Sequence, residues 1–149
     1  MRKAFTLIEI LVVISLIGIL STIVLVNLNS ARERGRDTQR KADTRNIQTA
    51  LRLYYNDMGV YPTSASGKIK GCGVSGNSAC DWGSQWAKGT TVYMNTLPED
   101  PLSTQSYRYT QIDADNYTLE VCFENKSDDK GVATGDTWCP SGWEYIARP

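Results

Sequence analysis

Hydrophobic and polar positions change character twice along this chain. The first stretch, Leu7 to Val26, is twenty residues whose only charge is Glu9. A helix of that length is about 30 Å long, enough to cross the hydrocarbon core of a bilayer. A cleaved secretory signal is the plainer alternative, but such signals have apolar regions of roughly 7–15 residues ending at a small-residue site. This run is longer and flows into a charged helical pattern without an A-x-A-like break. Further on, Ile47, Ala50, Leu51, Tyr54 and Met58 recur at the i, i+3, i+4, i+7 and i+11 spacing of an amphipathic helix. No proline interrupts residues 5 to 58, and glycine occurs there only at Gly18 and Gly35. The pattern predicts one very long helix, stopped by Gly59 in a left-handed C-cap and by Pro62 soon after. Its outer stripe must bury against the rest of the chain.

Arg32 to Arg45 lies between these halves with no apolar stripe. It reads as a solvated helical face held by pairs such as Glu33 with Arg36 and Asp37 with Lys41. The sharper alternatives are an electrostatic seam between subunits or a zone facing lipid headgroups. After the helix, Thr63 to Thr91 reads as a long connection rich in Gly, Ser and Lys. The remainder predicts a small antiparallel sheet. Thr90 to Met94 is a short strand, Leu97-Pro98-Glu99-Asp100-Pro101 a turn, and Tyr107 to Ile112 an alternating strand. A second turn at Asp113 to Asn116 leads into the clearest strand. There Tyr117, Leu119, Val121 and Phe123 face one side, and Thr118, Glu120, Cys122 and Glu124 the other. Trp143 to Ile146 completes the set.

Charge and composition narrow the chemistry. Sixteen basic and sixteen acidic residues balance, but Arg32 to Arg45 carries six basic and three acidic residues, against seven and eleven from Gly59 onward. An acidic head argues against nucleic-acid binding, which needs a positive surface. Arg2 and Lys3 precede the apolar run and are expected to stay cytoplasmic, which puts everything after Asn27 outside. Histidine is absent, removing the commonest general base and metal ligand. No Ser or Cys nucleophile has a visible base partner and no phosphate loop is present, so no enzyme and no cofactor are expected. Glu99 and Asp100 read as turn formers rather than paired catalytic carboxylates.

Cys72, Cys80, Cys122 and Cys139 lie beyond the apolar run, and an even number outside fits two disulfides. Of three connectivities, Cys72–Cys80 and Cys122–Cys139 close short loops and are favoured. A zinc site lacks C-x-x-C spacing. Asp128, Asp129 and Asp136 are read as an acidic solvated loop rather than calcium ligands. Trp82, Trp86, Trp138 and Trp143 are assigned to packing in preference to a carbohydrate-binding patch. The Asn116-Tyr117-Thr118 and Asn125-Lys126-Ser127 acceptor patterns are left unassigned.

Glu9 is the most informative residue, because a lone carboxylate inside an apolar span is costly, roughly 2.5–3.5 kcal/mol at a helix centre. Its surroundings, Lys3-Ala4-Phe5-Thr6-Leu7-Ile8-Glu9 followed by Ile10-Leu11-Val12-Val13-Ile14, resemble the precursor signature of type IV pilins and type II secretion pseudopilins. Tyr54 to Thr63, with its Tyr61-Pro62 element, and the Leu97 to Pro101 turn followed by Tyr107-Arg108-Tyr109 resemble the pseudopilin head. The resemblance implies a prepilin peptidase cut between Ala4 and Phe5, N-methylation of Phe5, and use of Glu9 in assembly. A Glu9 carboxylate and the new Phe5 amine make a tolerable pair where each charge alone is costly. Ala4 stands where the family usually has Gly, and Val26 where many members have a proline that lets the helix melt. The C-terminal half lacks the calcium loop of major pseudopilins.

The expectation is therefore an α+β fold: a long N-terminal helix on a small antiparallel sheet, pilin-like. Residues 1–4 form a leader, 5–28 a transmembrane and filament-core helix, 29–58 an amphipathic helix, and 59–149 a head with disulfide-tied loops. The first functional reading is a subunit of a type IV pilus-like filament, and the near-even alternative is a type II secretion pseudopilin. A monomeric membrane-anchored binding protein is the alternative of a different class. Implied partners are copies of itself, other pilin-like subunits, the prepilin peptidase, an inner-membrane assembly platform, and the membrane before assembly. The expected location is a single pass in the cytoplasmic membrane with the head outside, then a surface or periplasmic filament.

Overall fold

A computed structural model describes residues 6–149, apart from the side chains of residues 23–27. The leader with Arg2 and Lys3, the expected cut between Ala4 and Phe5, and the side chain of Val26 lie outside the described residues. Helix α1 runs unbroken over Leu7–Met58, 52 residues or about 78 Å at 1.5 Å per residue. Thr6 caps its start and Gly59 its end. At φ 72° Gly59 turns left-handed and donates its N–H to the Tyr55 carbonyl at 2.7 Å, a conformation glycine adopts without steric cost.

Nine short strands follow: β1 Thr63–Ala65, β2 Lys68–Cys72, β3 Ser78–Ala79, β4 Trp86–Lys88, β5 Thr91–Met94, β6 Arg108–Gln111, β7 Tyr117–Cys122, β8 Val132–Ala133 and β9 Trp143–Ala147. They form sheets β1-β2-β3, β4-β5 and β6-β7-β9-β8, with neighbouring strands antiparallel throughout. The α+β arrangement read from the sequence is the one observed. Tyr109, Leu119 and Ala147 pair in one row across β6, β7 and β9 and are all buried. That row faces Ile47, Leu51 and Tyr54 of α1 in a single core.

The core is strongly aromatic. Tyr54 stacks on Trp86 at 5.6 Å, Tyr61 meets Tyr117 edge-on at 4.7 Å, and the Tyr109 hydroxyl donates to the Pro62 carbonyl at 2.7 Å. The Tyr61-Pro62 element thus pins the end of the helix to β6. Gly71 on β2 makes room for Trp86, whose Nε1 would stand 3.0 Å from any Cβ there.

Three expectations need correction. Thr63 to Thr91 is not a plain connection but holds β1 to β4. These strands are two to five residues long and separated by turns such as Ser66-Gly67, so they leave little alternation to read. Met58 does not continue the buried stripe and is 38% exposed at the helix end, where Gly59 turns the chain. The largest correction concerns Arg32 to Arg45, expected to be solvated: Asp37, Arg40 and Thr44 are fully or nearly fully buried.

Arg40 sits at the centre of that region with all five guanidinium N–H groups engaged. Nε and Nη2 grip Asp100 in a two-point bond at 2.7 Å each, Nη1 donates to Asp37 at 2.8 Å and Glu124 at 2.7 Å, and Nη2 reaches Gln105 at 3.3 Å. Arg36 adds a two-point bond of its own to Glu124, through Nε at 2.7 Å and Nη2 at 2.5 Å. Asp37 also accepts the backbone N–H groups of Glu124 and Asn125. Lys41 pairs with Asp128, not with Asp37. The polar stretch is thus a clamp onto two head loops. Asp100 also accepts the Leu102 N–H at 2.8 Å, so it forms its turn and anchors the helix together.

Removing one partner of such a buried cluster strands the others. Arg40→Ala is expected to destabilise the protein by about 3–5 kcal/mol, read by denaturant unfolding of the full chain in detergent. Glu124 supplies a pH dependence, because its bond to Arg36 and then that to Arg40 hold its carboxyl below the ordinary 4.5 against the effect of burial. A depressed folded-state pKa means this stabilisation is complete above about pH 4.5 and is lost as pH falls toward the lower folded value. Asp43, which burial pushes upward despite its Tyr107 bond, offsets part of the effect. Unfolding free energy should fall below about pH 4.5 in the wild type and less steeply in Glu124→Gln.

Candidate functional site

The first half of α1 has no partner among the described residues. Leu7 is 80% exposed and Leu20 55%, and the apolar side chains between them are similarly open. Apolar surface on this scale marks a membrane or protein contact. The described residues alone contain no helix long and apolar enough to cross a membrane; the apolar run in view is Leu7 to Thr22, ending where the side chains of 23–27 pass out of description.

Polar groups in this stem bond internally. The hydroxyls of Ser15, Ser21 and Thr22 donate to the carbonyls of Val12, Ile17 and Ile19 at 2.7 to 2.8 Å. Their donors are satisfied inside the helix, as an apolar surrounding requires. Glu9 is the exception in charge and closes the helix start in a reciprocal capping box. The Thr6 N–H and hydroxyl donate to Glu9 Oε2 at 3.0 and 2.9 Å, and the Glu9 N–H donates to Thr6 Oγ1 at 3.4 Å. The carboxylate thereby lies against the backbone nitrogen one residue after Phe5. Ala4 and Phe5 themselves are outside the described residues.

The cysteines are brought together in the pairing favoured from loop length, Cys72 with Cys80 and Cys122 with Cys139. The first ties β2 to the end of the β3 loop. The second holds the 134–142 segment against the outer face of the main sheet, where the Arg108 guanidinium lies 5.1 Å from the Trp138 ring. Trp86 is a core residue and Trp82 and Trp143 pack at its margin. No group of three or more acidic, Cys or His side chains arranged to hold a metal is found among the described residues. Asp128 is occupied by Lys41.

Arg40, Asp37, Asp100 and Glu124 were missed as a group by sequence reasoning. Their signal was spacing: positions 37, 40, 44, 47, 51 and 54 advance by alternating threes and fours, extending the apolar stripe upstream through polar residues.

Comparison with known proteins agrees at both ends of the chain. The family described as "Type II secretion system (T2SS), protein G" matches residues 27–137, and the "Prokaryotic N-terminal methylation motif" matches residues 1–25. Type II secretion system core protein G of Klebsiella pneumoniae is 33% identical over 100 residues, 67% of this chain and 69% of that protein. The protein of the same description from Pectobacterium carotovorum subsp. carotovorum is 30% identical over 103 residues, 69% of this chain and 64% of its own length. That of Vibrio cholerae serotype O1 is 38% identical over 69 residues, covering 45% of this chain and 47% of the relative. The chain thus spans about two thirds of the first two relatives and less than half of the third. No solved structure matches. With the methylation motif at its start and the protein G match across stalk and head, the chain belongs to the type II secretion system protein G family, within the wider pilin and pseudopilin group.

Proposed function

We propose that this chain is a type II secretion pseudopilin. It is made as a membrane-anchored precursor, cut between Ala4 and Phe5 by a prepilin peptidase, N-methylated on Phe5, and polymerised through its stem on an inner-membrane platform. Its partners are copies of itself and other pilin-like subunits, and its destination is a periplasmic filament. This reverses the order of the two readings from sequence, in which the pilus subunit stood first. The match to protein G over residues 27–137 favours the secretion branch, and the pilus reading keeps only the support of shared ancestry.

The observation that carries the proposal is the bare apolar stem with a single carboxylate at its start. Before assembly, lipid covers that surface; afterwards, the stems of neighbouring copies do. Glu9 already holds the Thr6 N–H, and a chain beginning at Phe5 carries its terminal amine one residue before that nitrogen. In an apolar bundle a stem at the wrong height leaves both charges unpaired, so the pair fixes register.

The intact mass and N-terminal peptide of the protein from its native membrane are expected to show a chain that begins at N-methylated Phe5. A chain still carrying Met1 to Ala4, in cells with an active prepilin peptidase, would point to an ordinary anchored binding protein. Glu9→Ala is expected to abolish or strongly reduce filaments recovered from cells while the head unfolds at the wild-type temperature. Normal filaments from that variant would remove Glu9 from the mechanism.

A further inference from the structure

Outside the stem, the two flanks of the stalk and head carry opposite chemistry. Arg34, Arg45 and Arg52 are spaced by eleven and seven residues, which places them within about 20° of one another around α1. All three are exposed, and none has a carboxylate partner among the described residues. On the other flank is a groove of about 490 Å³ lined by Lys68, Asp81, Trp82, Glu99, Ser103 and Gln105, among others. Asp43 marks that side of the helix, since it accepts the Tyr107 hydroxyl at 2.8 Å and Tyr107 meets Trp82 edge-on at 5.7 Å. Asp43 and Arg45, two residues apart, project about 160° from one another.

Charges within the groove are unequally spent. Lys68 is paired with Asp81 at 2.6 Å and Asp100 belongs to Arg40. Glu99 is exposed and has no ion-pair partner among the described residues. Beside it stand the partly exposed indole of Trp82 and the hydroxyl of Ser103, while the Gln105 amide oxygen already accepts from Arg40. A free carboxylate, an aromatic wall and a hydroxyl acceptor suit a guanidinium, which bonds a carboxylate through its planar fork and lies well on an aromatic ring. A lysine ammonium could also lie on the ring, but it lacks the planar fork that matches a carboxylate at two points.

We propose that the Trp82–Glu99 groove is a socket for an arginine of the Arg34, Arg45 and Arg52 stripe on the next copy of this chain. Socket and stripe lie on opposite flanks of one molecule, so the contact is head-to-tail. A repeated head-to-tail contact that does not close builds an open helical filament. It is continuous with the stem, which brings neighbouring stalks side by side. The inference rests on the filament reading and adds to it a lateral contact outside the membrane that selects which copy may sit beside which.

The test uses the full chain in cells carrying the complete assembly machinery, with sheared filament yield as readout and thermal unfolding as a check on each head. Glu99→Arg is expected to lower the yield about tenfold, and Trp82→Ala to lower it without any change of charge. Reversing Arg34, Arg45 or Arg52 to Glu should lower it likewise. One of these three reversals, combined with Glu99→Arg, should restore at least half of the wild-type yield and so identify the contacting arginine. Wild-type filament yield from Glu99→Arg, or no rescue by any of the three, overturns the socket while leaving the filament reading intact. A failure of the wild-type chain itself to assemble would instead overturn the filament reading, and the socket with it. If the arginine reversals deplete membrane-inserted precursor rather than filaments, the stripe serves anionic lipid headgroups and the socket is again overturned.

Discussion

A guanidinium removed from water must find a partner for each of its five N–H groups, and meeting that demand at Arg40 organises the stalk and head. Two of its anchors, Asp100 and Glu124, come from loops far apart in sequence, and the third, Asp37, comes from the preceding turn of its own helix. Each anchor is held in turn: Asp100 by the Leu102 N–H, Glu124 by Arg36, and Asp37 by the two N–H groups that follow β7. The cluster is directional, unlike the apolar contacts beyond it. Ile47 and Leu51 tolerate small shifts of the head along the helix, whereas a two-point bond to Asp100 does not. The aromatic rows supply burial, and the ionic cluster specifies one register.

That register has a counterpart at the other end of the chain. The stem lacks a partner among the described residues, and its hydroxyls are turned back onto its own carbonyls. Glu9, its one charge, is held by the Thr6 cap. A 52-residue helix thus carries two acidic–basic devices: one satisfied within the chain, and one, in the proposed filament, completed by the amine of a processed terminus. The first fixes the head on the stalk, and in the proposed filament the second would fix the stalk among its neighbours. No proline or left-handed residue interrupts the helix between them, so height at one end determines height at the other.

Much of the architecture was legible because it is written in long patterns. A proline-free span of more than fifty residues, the stripe at Ile47, Leu51 and Tyr54, and the alternation from Tyr117 to Phe123 each run long enough to exceed chance. The cap at Gly59 follows from the need for a left-handed residue there. The hidden parts fall into two kinds. Strands β1 to β4 depend on pairing with one another and with β5, and on packing against β6 and Tyr54 of the helix, more than on any alternation of their own. The Arg40 cluster was obscured because hydropathy treats Asp, Arg and Thr as solvent-facing. Their common spacing with Ile47 and Leu51 carried the information, but only the head loops reveal that carboxylates wait opposite Arg40. In the Leu97 to Pro101 turn, the prolines were evident, and the second task of Asp100 was not.

The geometry of the clamp also decides how the protein bears force. A pull along the axis of α1 runs parallel to the interface between helix and head, not across it. The Asp100 and Glu124 bonds and the rows around Tyr54 and Trp86 therefore strain together in shear and must yield as a set. Peeling would break them one at a time. Neither disulfide joins head to helix, since both close loops within the head. Apart from the single peptide link through Gly59, coupling between the two parts is noncovalent, and its toughness comes from the simultaneity of its bonds rather than from the strength of any one.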